Sequence, residues 1–291
     1  GAADYLTHHV GQRKPSAEAM FVKEFDSETN ENTHVTEHHN DDVSSEYIAY
    51  IDKSQNFASA VTEFEIFAAS RGCKFAPAVI KKIFAALASS RLIVTTGIND
   101  KDFNTFMTVL SNYFESKAFI DRVDSSYIST ENLLFKRDSS GAKVRTQALS
   151  AIETARSTSH NIHFAGLTNV TASELPNYFS AYINYFKNPY GHHYVTVSNN
   201  KNAEASYYIP QNLWFVLNIA ETESPASLPD FITEIATVNI FTFSDCTPSG
   251  QYPNIKKFSY HQMELLAEKA GGIHFIKEEN WKEVLEKFIE Q

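Results

Sequence analysis

An α/β fold with a mostly parallel sheet and flanking helices is what this 291-residue sequence predicts, with a small helical lid at its carboxyl end. Three observations carry the prediction. Short unbroken apolar runs such as Leu92-Ile93-Val94 read as strands buried on both faces, which parallel sheets require. Between them lie segments whose apolar residues recur at steps of three and four, as helices facing a core do. Strand then helix, repeated along the chain, is the pattern of layered α/β domains. The spacing divides the chain into an arm or linker at 1–45, an α/β domain at 46–245 and the lid at 246–291.

Residues 1–45 carry Arg13, Lys14 and Lys23 against nine carboxylates and few large apolar side chains, a balance that predicts an extended arm. From Glu46 the character changes, with Tyr47, Ile48, Tyr50 and Ile51 followed by Phe57, Val61, Phe64 and Phe67 at helical steps. Pro77 opens a stronger helix through Val79, Ile80, Ile83, Phe84 and Leu87, and Ser89-Ser90 close it. The strand 92–94 ends on Thr95-Thr96-Gly97. Helical spacing returns through Phe103, Phe106, Met107, Leu110 and Phe114, with a second strand at 118–123. Residues 125–141 read as polar and irregular, 144–155 as helix, 161–167 as strand and 173–186 as helix. Residues 193–197 and 207–209 alternate as a hairpin, and 213–219 and 238–243 complete the strands. Met263, Leu265, Leu266 and Ala270 mark a helix stopped at Gly271-Gly272, and Trp281, Val284, Leu285 and Phe288 a terminal one.

Composition narrows the function. A net charge of −10 opposes a phosphate backbone, so no nucleic-acid partner is expected. No run of about 18 apolar residues occurs, so no membrane span is expected either. The first residues show no basic-then-apolar leader pattern, which predicts a cytoplasmic chain. Cys73 and Cys246 lie far apart without CxxC spacing and read as thiols rather than a zinc or disulfide framework. His34, His38 and His39 crowd with Asp41 and Asp42, the residue types of a divalent-metal patch. A solvated linker is the simpler reading, because fixing ligands on a mobile segment costs conformational entropy. No cofactor is expected. His163 reads as a satisfied core or edge histidine, and the cluster Tyr178, Phe179, Tyr182, Tyr185, Phe186 as core packing.

The run VIKKIFAALASSRLIVTTGI resembles the entry to the P-loop of the AAA-type ATPases related to the McrB restriction GTPase subunit. YIPQNLWFVLNI is similar to that family's strand bearing the sensor Asn, and NVTASELPNYFSAYI to its region after the Walker B strand. LPDFITEIATVNIFTF is similar to the stretch that ends in an Asp-Arg-Ala-like motif and a strand. The ordered set covers residues 77–243 and implies a P-loop, AAA-type fold.

Carried over residue by residue, the resemblance implies a nucleotide site stripped of its chemistry. In G-x-x-x-x-G-K-[ST] the glycines admit phosphates to backbone N–H groups, the Lys neutralises them and the hydroxyl holds magnesium. Gly97 keeps the first place, but Asp102, Phe103 and Asn104 stand where the second Gly, the Lys and the hydroxyl belong. Asp100 and Asp102 bring carboxylates to a polyphosphate's position, and Lys101 lies on the wrong side of the turn to answer them. Gly166 and Leu167 replace the Walker B acids, with Asn169 just beyond. Asn218 lies two residues before the sensor position, which falls on Ala220, and Ile235 takes the place of the Arg finger. The expectation is a pseudo-ATPase that serves as a scaffold or assembly subunit, partnered by copies of itself or by an active relative. The alternatives are a nucleotide sensor without hydrolysis, or an enzyme whose metal site is the His-rich arm.

Overall fold

The computed structural model describes residues 57–198, 204–220, 228–239, 241–250 and 258–269. The arm with His34, His38 and His39, and the terminal helix expected beyond Gly271-Gly272, lie outside the described residues. Helix α1 (Phe57–Ser70) leads through β1 (Cys73–Phe75), α2 (Pro77–Ser89), β2 (Leu92–Thr95) and α3 (Asp100–Tyr113) to β3 (Phe119–Arg122). Then come α4 (Thr130–Leu134), β4 (Phe135–Arg137), β5 (Lys143–Arg145), α5 (Gln147–Ser157) and β6 (His163–Val170). After α6 (Leu175–Phe179), α7 (Ile183–Lys187), β7 (Tyr194–Ser198) and β8 (Glu204–Tyr208) the chain enters β9 (Leu213–Ile219). The last described elements are α8 (Asp230–Thr233), β10 (Ala236–Asn239), β11 (Phe243–Asp245) and α9 (Tyr260–Lys269).

Five strands form one parallel sheet in the order β10-β2-β9-β6-β3. Side chains alternate across a strand, so each strand supplies two cores. Leu92 and Val94 of β2 join Phe215 and Leu217 of β9 on one face, with α4 to α8 above them. Ile93 joins Trp214, Val216 and Phe164 on the other, against α1, α2, α3 and α9. The mostly parallel α/β sheet with flanking helices that the apolar runs predict is therefore present. Every residue of β2 and β9 is buried, because helices cover both sides. Each fully buried Leu, Ile or Phe here contributes about 1.5–3 kcal/mol relative to exposure. Tyr178, Phe179, Tyr182, Tyr185 and Phe186 are all in the first of these cores.

Several boundaries differ from the sequence expectation, each for a local reason. The stretch expected to be irregular holds α4 and β4, and β4's partner β5 takes the first residues of the helix expected over 144–155, so that α5 begins only at Gln147. Ser129 and Asn132 form a capping box, and Asp138 accepts from the backbone of Ser140 and Ala142 to turn the chain. The helix expected over 173–186 is broken into α6 and α7, each preceded by a 3₁₀ turn. The strand expected at 238–243 is two strands: β10 in the sheet and β11 antiparallel to β1. Helix α9, expected as part of a lid, places Met263 and Ala267 in the same apolar cluster as Phe84 and Phe114.

Two buried polar groups fasten the sheet to its helices. Asp121 on β3 accepts from the Ala148 N–H at 2.9 Å and so caps α5 from a neighbouring element; burial holds its carboxyl above the usual range. His163 opens β6 with Nδ1 2.8 Å from the Ser116 hydroxyl and Nε2 2.7 Å from that of Thr158. Burial pushes its pKa below the ordinary 6.5. The unfolded chain therefore takes up this proton more readily than the folded one. Stability from this residue is fully present above about pH 6.5 and is lost as pH falls through the lower folded value. Urea midpoints measured from pH 7.5 to 5 should fall steeply for the native chain and less for His163→Gln; equal slopes would refute the assignment.

Candidate functional site

In an open parallel sheet, ligands bind outside the carboxyl ends of the strands, at the point where the strand order reverses. Here β2, β9, β6 and β3 present Thr95, Asn218, Thr168 and Arg122 at that end, brought level by the register Thr95↔Asn218 and Arg122↔Thr168. The connection from β2 to α3 is short: Thr96, Gly97, Ile98 and Asn99. Gly97 adopts φ +73°, where only glycine turns without strain. No neighbour lies within 4 Å of where its Cβ would stand, so the backbone angle alone sets the need for glycine.

The helix begins at once. Asn99 caps it, accepting from the Asp102 N–H at 2.8 Å while its Nδ2 donates to Asp102 Oδ2 at 2.9 Å. Asp100 and Asp102 occupy the first turn and place carboxylates at the positive end of the helix dipole. Four residues after Gly97 would have to curl round a phosphate in a P-loop. Two of them, Asp100 and Lys101, are instead already helical.

Each side chain at the strand ends has a partner in the turn, the helix start or a neighbouring strand. Thr95 Oγ1 donates to Asn218 Oδ1 at 3.0 Å, and Asn218 Nδ2 donates to the Ile98 carbonyl at 3.1 Å, tying β9 to the turn. Thr168 Oγ1 donates to Asp100, and Arg122 stands 3.6 Å from the same carboxylate. That ion pair is largely exposed and contributes about 0–1 kcal/mol. Asn169 has φ +58° at an irregularity in β6, and its Nδ2 donates to the Val123 carbonyl at 2.9 Å. A left-handed backbone is one that Asn tolerates better than most residues.

The structure thus brings together Gly97, Asp100, Asn169 and Asn218 from the residues singled out in sequence. Asp102 joins them only through Asn99. Phe103 is fully buried in the core. Lys101 and Asn104 face away, into a groove shared with Arg71. Gly166 lies inside β6, where a Cβ would stand 3.0 Å from Met107 Cε, and Leu167 packs in the opposite core. Sequence reasoning missed Thr168, Arg122 and Thr95; for the two threonines the signal was a polar residue closing an apolar run, whereas Arg122 follows Asp121 and gave none.

A second buried polar cluster lies at the other end of β2. Arg91, fully buried, pairs with Glu264 at 2.6 Å, donates to the Gln211 carbonyl at 2.9 Å and stacks 3.7 Å from the Trp214 ring centre. The Tyr190 hydroxyl donates to the other Glu264 oxygen at 2.6 Å. These bonds join α9 and the turn before β7 to the sheet. Among the described residues, no group of three or more His, Cys, Asp or Glu could hold a metal ion, and no helix is long and apolar enough to cross a membrane. A scan against protein-family profiles and a search of curated proteins both return no match.

Proposed function

We propose that the chain is a catalytically inactive, AAA-like P-loop domain that acts as a scaffold or assembly subunit, packing with copies of itself or with an active relative. The observation that carries this reading is the β2-to-α3 connection. Its helix starts where a phosphate loop would still be open, and Asp100 and Asp102 supply the negative charge that a nucleotide's phosphates would otherwise bring. A central strand running into a glycine turn and a helix, inside a parallel sheet, supports the P-loop ancestry. The inward bonds of Asn218 and Thr168 support its conversion to structure. Phosphoryl transfer rests on a Lys, metal-binding acids and an Arg at the phosphates, and Phe103, Gly166, Leu167 and Ile235 offer none of these.

Calorimetry with ATP and with GTP, each with magnesium, tests the proposal alongside a light-scattering mass. The expected result is no binding tighter than about 0.1 mM, or roughly −5.5 kcal/mol, and a mass above that of one chain or a rise on adding the partner. Tighter binding would overturn the inactive-site reading and make the protein a nucleotide sensor.

A further inference from the structure

A groove of about 620 Å³ runs along the outward side of α3 beside the end of α1. Lys101, Asn104, Thr108 and Asn112 lie on one stripe of the helix at steps of three and four. From Lys101 to Asn112 the helix rises about 16 Å, the span of roughly five residues of extended peptide. Val109 forms its buried floor, and the Thr105 and Thr108 hydroxyls bond back to the Lys101 and Asn104 carbonyls at 3.0 and 2.8 Å. Arg71, directly after α1, stands at the groove with its guanidinium 5.2 Å over the Phe67 ring. Among the described residues the lining holds two cations, two amides and no carboxylate, in a protein of net charge −10.

The chain contains a complement to this surface. Residues 24–42 carry seven carboxylates, from Glu24, Asp26, Glu28 and Glu31 to Glu37, Asp41 and Asp42, without one Lys or Arg. Fourteen residues, 43–56, separate them from the start of α1. Such a tether reaches about 45 Å at most, and α1 itself is about 21 Å long. The acidic segment can therefore reach Arg71 and Lys101 on its own molecule. We propose that the Arg71–Lys101 groove is the docking site of the chain's own acidic segment, residues 24–42. Tethering raises the effective concentration to the millimolar range, so modest surface electrostatics suffice. The contact covers α3 beside the strand-end seam, and a partner carrying an acidic peptide competes for it.

The test uses the full chain at low ionic strength with a zero-length carbodiimide cross-linker, read by peptide mass spectrometry. Expected is an amide between Lys101 Nζ and a carboxylate within residues 24–42, in the monomeric fraction, with mixed light and heavy chains showing that both partners belong to one molecule. Its yield should drop several-fold in Arg71→Glu and in 0.5 M NaCl, where charges are screened beyond about 4 Å. Both cations are exposed, so the variant should keep its melting midpoint; should it not, the salt series on the unaltered chain decides alone. Absence of cross-links from Lys101 to residues 24–42, a yield indifferent to salt, or links only between different molecules overturns the proposal.

Discussion

Leu167→Glu is expected to cost the protein about 4 kcal/mol or more, a large share of the 5–15 kcal/mol that holds a domain folded. Leu167 is fully buried, and its register partner on β3 is Asp121, itself buried and already resisting ionisation. A second carboxylate beside it faces both desolvation and a like charge. Gly166→Asp fails for a different reason: Met107 Cε lies 3.0 Å and Ile120 Cγ1 3.4 Å from the new Cβ. Acidic side chains at 166 and 167 are thus both opposed, at 166 because Met107 of α3 and Ile120 of β3 would have to give way. Leu167→Met, which conserves volume, should lose less than about 1.5 kcal/mol. Urea denaturation followed by circular dichroism reads all three, and a Leu167→Glu midpoint close to the native one would sink the claim that these positions are core.

Glu264→Ala should lose about 3–5 kcal/mol, since it leaves the Arg91 charge buried without its counter-ion. The Arg91 side chain is 0% exposed, and among the described residues its Nη1 already has no hydrogen-bond partner. Truncation of Glu264 strips Nη2 as well and frees the Tyr190 hydroxyl. Arg91→Met combined with Glu264→Leu should recover most of the loss, because an apolar pair carries no desolvation penalty. A double-mutant cycle in denaturant measures the coupling. If Glu264→Ala shifts stability by less than 1 kcal/mol, the pair is not what fixes α9 to the sheet.

The parts of the fold that showed in the sequence are those whose environment is uniform. A strand covered on both faces is apolar at every position, so Leu92-Ile93-Val94 and the run of β9 stand out by themselves. Strands β1, β4, β5 and β11 have three residues each and exist because of a partner, which periodicity does not reveal. Between 125 and 141 the polar side chains spend their hydrogen bonds on Ser129–Asn132 and on the turn at Asp138, ordering a stretch whose composition reads as loop. At the site, Gly97 and Asn218 were legible as ends of apolar runs. The Thr168–Asp100 bond joins positions 68 apart and was not. Arg91 was not singled out in the sequence, because its burial follows only from Trp214 and α9 closing over it.

The place of β2 in the sheet also sets a timetable. Its neighbours are β9 and β10, and the Thr95–Asn218 bond spans 123 positions of sequence. At about 5–20 residues per second of synthesis, this interior strand emerges roughly 6 to 25 s before its first partner. During that interval β3 and β6 can pair, while β2 keeps an apolar ribbon with two unsatisfied edges. Long-range parallel pairing is slow even in the finished chain. The nascent molecule is thus most prone to association between copies while β2 is still waiting, and a chain stopped before residue 213 never passes that stage.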